Sequence, residues 1–218
     1  MARVVRGIGW LLVVSGVVVL LYVVYLLWFT NLGTEQAQRD LADAWEADIQ
    51  SRAEAAANPD GDDGDEDERD EEDEALEPGD AYAILWFERD GEAIVTDEPL
   101  YVVAGVTLDD LRAGPGHYPD SDRPGGDGNL AFAGHRTTYG APFWSLEELQ
   151  EGDTIHVVDR DGDEWVYAYR EQRVVAPTDT WVVGEDPLET GEPTITLTTC
   201  HPRFSAAQRL IAWGELVT

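Results

Sequence analysis

The hydrophobic pattern changes character three times along the chain. From Gly7 to Phe29 it reads GIGWLLVVSGVVVLLYVVYLLWF, apolar throughout and free of charge. About 20 such residues suffice to carry a helix across a ~30 Å hydrocarbon core, so the run predicts a transmembrane helix. A secretory leader has an apolar core of only about 7–15 residues followed by a small-residue cleavage site, and this segment has neither feature. Between Thr34 and Ala57 the apolar residues thin to Leu41, Trp45 and Ile49, four apart, with charges on the other faces. That spacing predicts a juxtamembrane helix whose stripe packs on the chain's own folded part. The next stretch, Asn58 to Asp80, is almost entirely acid and glycine. It holds too little apolar surface to offset the entropy of ordering, so it is expected to be disordered, extended by self-repulsion, and to act as a tether.

After Pro78 the pattern becomes short apolar or alternating runs: AYAILWF (81–87), PLYVV (99–103), LAFAG (130–134), TIHVVD (154–159), EWVYAYREQRVV (164–175), PTITLTTC (193–200) and RLIAWGELV (209–217). These read as strands, with Asp161-Gly162 as a hairpin turn between two of them. Only VTLDDLRAG (106–114) and SLEELQEG (145–152) read as short helices, each closing on a glycine. The fold expected is a mainly antiparallel barrel or sandwich of about eight strands. Three parts follow: a cytoplasmic stub and transmembrane helix (1–33), a juxtamembrane helix and acidic linker (34–80), and a folded domain (81–218).

Charge narrows the function. The formal net charge is -31, which repels nucleic acid. All 14 basic residues are arginine, a usage that fits a GC-rich genome, while the acidity fits a saline habitat in which screening shortens to about 3 Å at 1 M salt. Arg3 and Arg6 precede the apolar run, whereas Glu35 and Asp40 follow it. The positive-inside rule therefore puts the N-terminus in the cytoplasm and the rest outside. The single cysteine, Cys200, excludes an internal disulfide and a CxxC-type metal site.

Cys200 ends the strand TITLTTC, and Arg209 opens the next strand after the loop HPRFSAAQ. Adjacent strands would bring thiol and guanidinium to one rim. A nucleophilic thiol must ionise, which a cation favours, and its leaving group needs a proton, which an imidazole supplies. His135, directly after LAFAG, is the candidate imidazole, and Arg209 the candidate oxyanion-stabilising cation. Of the other histidines, His117 lies in a Gly/Pro loop, His156 alternates within a strand, and His201 follows the cysteine and is placed to line the pocket. A zinc site built from Cys200, His201, His135 and His117 lacks metal-ligand spacing, and neither cofactor nor metal is expected.

TLTTC (196–200) resembles the T-L-x-T-C signature of sortases, with Arg209 and His135 in the expected order. Within that family the resemblance is to class E, through GPGHYPDS (114–121), AGHRTTYGAPF (133–143) and TTCHPRFSAAQR (198–209). It implies an eight-stranded sortase β-barrel with short helices, preceded by the transmembrane helix. It also implies cleavage of a C-terminal LAxTG- or LPxTG-like sorting signal between Thr and Gly through a thioacyl link to Cys200. The partners implied are secreted proteins bearing that signal and an amine acceptor such as a peptidoglycan precursor. Thr199 and Tyr139 are expected to shape the signal-peptide groove. Pilin polymerisation needs the same residues and stays open, as does a non-catalytic anchored module. L,D-transpeptidases also use Cys, His and Arg, but in an S-x-G-C setting that TLTTCHPR does not match.

Overall fold

The computed structural model describes residues 2–57 and 76–217, so the disorder expected of the acidic linker falls, for 58–75, outside the described residues. The linker's last residues are ordered: 76–80 form a turn in which Asp80 accepts the Glu77 N–H and Gly79 N–H donates to Ala104 O.

Alternating apolar residues fold as strands: β1 (Ala81–Arg89), β2 (Glu92–Ala93), β3 (Leu100–Ala104), β4 (Gly116–His117), β5 (Asn129–Ala133), β6 (Thr154–Val158), β7 (Glu164–Val175), β8 (Thr194–His201) and β9 (Gln208–Leu216). They are joined in the order β1-β3-β4-β5-β8-β9-β7-β6, and β6 pairs back onto β1. Eight strands therefore close into a barrel, with the two-residue β2 attached outside the ring to β1. Most pairings are antiparallel, but β3/β4 and β5/β8 are parallel.

One residue in two faces inward along each strand. Leu85 and Phe87, Leu130 and Phe132, Ile155 and Val157, Ile195 and Leu197, and Leu210 and Ala212 fill the barrel. The intervening residues of β9, Ile211 and Trp213, face outward under a 3-10 turn, Thr180–Val183, that the sequence did not announce. The expected short helices shrink to 3-10 turns at Asp110–Arg112 and Leu146–Glu148. β4 was also unforeseen. Gly116 lets it close the ring, since a Cβ there would sit 2.1 Å from the Gly105 carbonyl oxygen.

The apolar segment and the juxtamembrane segment form one unbroken helix, α1 (Ala2–Ala57), whose Val5–Tyr25 portion is long and apolar enough to cross a membrane. Beyond that portion α1 lies along the barrel, as the Leu41/Trp45 stripe suggested. Both side chains are buried, and Trp45 meets Tyr101 edge-on at 6.4 Å. Gln38 is bonded to the Tyr101 backbone in both directions, and Asp48 pairs with Arg160 at 3.0 Å. The helix itself therefore sets where the barrel sits, a task the sequence had assigned to the acidic stretch.

Asn129, at the start of β5, is 2% exposed and fastens three segments. Its Oδ1 accepts from Thr194 and Thr196 of β8, and its Nδ2 donates to Gly184 O beyond the outer 3-10 turn. Asn129→Ala leaves the buried Thr194 hydroxyl without its acceptor at about 1–3 kcal/mol, and a urea midpoint measurement should register that loss without a change in m-value.

Candidate active site

Three adjoining strands place the predicted side chains. In β8 and β9, Cys200 and Arg209 are direct partners of an antiparallel pair, so their side chains share a face. That face is the outer one, because Leu197 and Leu210 turn inward. On the other edge of β8, Ala133 of β5 pairs with Thr198, and the ladder continues one step past the strand with Gly134 N–H donating to Thr198 O. His135 follows Gly134 on the segment that leaves β5 alongside β8. Thiol and guanidinium thus share one face of the β8/β9 pair, and the imidazole is carried just past the end of β5, the other neighbour of β8.

The surroundings of His135 suit proton transfer. Its Nε2 is buried and has no hydrogen-bond partner, while Nδ1 lies 3.5 Å from the Thr138 hydroxyl. The Tyr139 ring lies 4.9 Å from the imidazole, and the Arg112 guanidinium sits 5.8 Å from the Tyr139 ring centroid. Burial, and secondarily the positive charge of Arg112, push the His135 pKa below its ordinary value. Cys200 is half-buried. Arg209 Nη1 donates to the carbonyls of Ala206 and Gln208 at 3.1 and 3.0 Å, and the guanidinium carries three further N–H groups.

The residues expected to shape a substrate groove divide. Tyr139 stands over the imidazole. Thr199 turns the other way: it is 3% exposed, and its hydroxyl donates to Gly134 O at 2.7 Å, tying β8 to the segment that carries His135. His201 is half-buried, with Nδ1 shielded and without a hydrogen-bond partner. His117 is not brought to Cys200. Its Nε2 bonds to Asp122 O and Ser121 Oγ, and its ring stacks on Tyr82 at 3.9 Å. His156 is held between Thr154 and Glu164 on β6 and β7.

Sequence reasoning passed over four contributors. Arg136 follows His135 on the segment leaving β5. Only 3% exposed, it donates to Trp144 O, to Cys200 O at 3.4 Å, and to the Glu147 carboxylate. Glu147 also pairs with Arg203, whose guanidinium lies 4.3 Å over the Trp144 ring. Adjacency to His135 was the available signal for Arg136. Tyr118, inside the GPGHYPDS block, places its hydroxyl 3.0 Å from Thr198 Oγ1, one outward position below Cys200. Arg112 had no sequence signal, since the β3–β4 crossing brings it to His135.

The family model described as a sortase domain matches residues 94–217. Sortase SrtE1 of Streptomyces coelicolor is 30% identical over 232 residues, covering 97% of this chain and 57% of the relative, so the chain spans little more than half of that protein's length. Sortase SrtE2 of the same organism is 31% identical over 226 residues, covering 99% of this chain and 83% of the relative. A solved structure of Sortase E1 from Streptomyces coelicolor with a tripeptide in the active site superposes with a TM-score of 0.56 at 30% identity, over 66% of this chain and 92% of that one. Taken with a closed eight-stranded barrel and a Cys–Arg pair on adjoining strands, these matches establish that the chain belongs to the sortase family.

Proposed function

We propose that the chain is a membrane-anchored cysteine transpeptidase that cleaves a C-terminal LAxTG- or LPxTG-like sorting signal between Thr and Gly and passes the protein to a cell-wall amine. The observation that supports this reading is the direct pairing of Cys200 with Arg209 on β8 and β9, with His135 on the segment leaving the neighbouring β5 and its Nε2 left uncommitted. The tripeptide in the active site of Sortase E1 from Streptomyces coelicolor supports a peptide substrate.

In this mechanism the Cys200 thiolate attacks the carbonyl carbon of the signal's Thr–Gly bond. The carbonyl oxygen becomes an oxyanion beside Arg209, whose remaining N–H groups stabilise it. Collapse breaks the C–N bond, and the departing glycine amine takes its proton from His135. The thioacyl link on Cys200 is then attacked by an acceptor amine, which yields a proton to the imidazole as the thiolate departs. Cys, His and Arg thus each serve both halves of the exchange. Tyr139, beside the imidazole, is the candidate wall for the signal peptide, while His201 shares the Thr199 face of β8, opposite Cys200.

The Val5–Tyr25 segment anchors the enzyme, with Arg3 and Arg6 on the cytoplasmic side and the barrel outside, where secreted proteins and peptidoglycan precursors are encountered. The three parts of the chain are accordingly residues 1–33, 34–80 and 81–218, although α1 runs through the first boundary.

The test uses full-length protein in detergent micelles, a fluorescent LAxTG peptide and hydroxylamine as surrogate amine. Cys200→Ala should abolish transfer and the thioacyl adduct seen by mass spectrometry; undiminished transfer ends the proposal. Arg209→Ala should lower kcat by about 10²–10³, the usual cost of one oxyanion donor, and Arg209→Lys should recover part of it. Because the folded site disfavours imidazolium, the acid limb of kcat/KM against pH should have its midpoint below the ordinary histidine value of about 6.5, and a limb above that value contradicts the burial argument.

A further inference from the structure

We propose that the part of α1 just beyond its apolar segment belongs to the active site, with Asn31, Thr34 and Gln38 acting as positioning residues that hold Tyr139 and Arg112 against the His135 imidazole. This rests on the reading of His135 as the proton-transfer group.

Residues 31, 34 and 38 recur at the three- and four-residue spacing that aligns side chains on one helix face. Each reaches backbone next to the imidazole's neighbours. Asn31 Oδ1 accepts the Gly140 N–H at 3.2 Å, one residue after Tyr139. The Thr34 hydroxyl donates to the carbonyl of Arg112 itself at 2.8 Å. Gln38 Nε2 donates to Ala113 O at 2.8 Å, one residue after Arg112, and to Tyr101 O at 2.9 Å. The helix therefore grips both segments of the Arg112–Tyr139–His135 stack, which have no hydrogen-bonded strand pairing with each other.

The fit is close enough to constrain sequence. Gly140 has φ 72°, and a Cβ there would lie 3.0 Å from Thr34 Cγ2. A Cβ on Gly114 would meet Gln38 Nε2 at 2.4 Å. Two turns further along, buried Leu41 and Trp45 fix the helix to the barrel, so the grip does not depend on the three polar bonds alone.

The charged and titratable groups shown against the imidazole are Arg112 from the 3-10 turn and Tyr139 from its own loop, with Cys200 and Arg209 on the neighbouring strands β8 and β9. Cys200 and Arg209 are fixed by strand pairing. Arg112 and Tyr139 are the two whose placement α1 governs, and Arg112 is the one whose charge lowers the His135 pKa. Loosening the grip both misplaces the imidazole and lets its pKa return toward the ordinary value.

The experiment compares full-length wild type with the double variant Asn31→Ala/Thr34→Ala and with the conservative single variants Asn31→Asp and Thr34→Ser, in micelles with the peptide-transfer assay. The double variant should lose about ten- to hundredfold in kcat, the scale on which small misplacements act, with peptide KM little changed and the acid limb moved to higher pH. Asn31→Asp and Thr34→Ser keep an acceptor and a hydroxyl, and should transfer near the wild-type rate. Thermal melting should show the double variant folded, because Leu41 and Trp45 are untouched. Wild-type kcat and an unmoved pH profile in the double variant overturn the inference, as does an equal loss in the conservative variants. Cys200→Ala in the same assay separates the two levels: transfer surviving in that protein refutes the transpeptidase reading, whereas Cys200-dependent transfer that ignores Asn31 and Thr34 refutes only the role of α1.

Discussion

A thiol, an imidazole and a guanidinium can share one proton and one developing negative charge only when the backbone sets them in line. Here that alignment is the hydrogen-bond register of β8 with its two neighbours. Cys200 faces Arg209 because the β8/β9 pair is antiparallel and in register at that rung. The parallel β5/β8 ladder, carried one bond past the strand by Gly134, brings the segment bearing His135 alongside β8. A slip of one residue in either ladder would send one member to the opposite side of the sheet, where the barrel interior is packed with Leu197, Phe132 and Leu210. Asn129, bonded to Thr194 and Thr196 at the far end of the same two strands, helps fix the β5/β8 register.

Behind these three residues lies a second layer of polar order. A guanidinium as buried as Arg136 is tolerated only with its charge paired and its N–H groups satisfied. Glu147 supplies the pairing, and the carbonyls of Trp144 and Cys200 take further N–H groups. Through Glu147 the network extends to Arg203, on the β8–β9 loop between thiol and guanidinium. The segment after His135, the strand end at Cys200 and the loop leading to Arg209 therefore lean on one set of charges, and movement of any of them disturbs the others.

The longer strands were legible as runs of at least five residues that either alternate, as β1 and β6 do, or are apolar and buried along most of their length, as β5 and β8 are, and His135, Cys200 and Arg209 stood out as reactive types near strand ends. Elements shorter than a period were not. β4 has two residues, too few to display alternation, although it closes the barrel. The segments 106–114 and 145–152 carry helix-like spacing, yet each forms only a three-residue 3-10 turn, since so short a run cannot offset the cost of nucleating an α-helix. Thr199 was expected beside the thiol as a groove wall, whereas the alternation that turns Cys200 outward turns Thr199 inward to Gly134. Arg112 approaches His135 through a crossing of strands that no local pattern records. The helix runs straight through the boundary drawn after residue 33: Asn31 and Gly33 are weak helix formers, but a penalty of about 1 kcal/mol or less apiece does not interrupt α1.

That unbroken helix has a geometric corollary. From Tyr25, where the span-length portion ends, to Asn31, where the barrel is first gripped, α1 advances six residues, or about 9 Å of rise. With Val5–Tyr25 set in a bilayer, the barrel would ride on a short mast and not swing on a leash, and the rim that carries Cys200 and Arg209 would stand at a fixed altitude above the lipid headgroups.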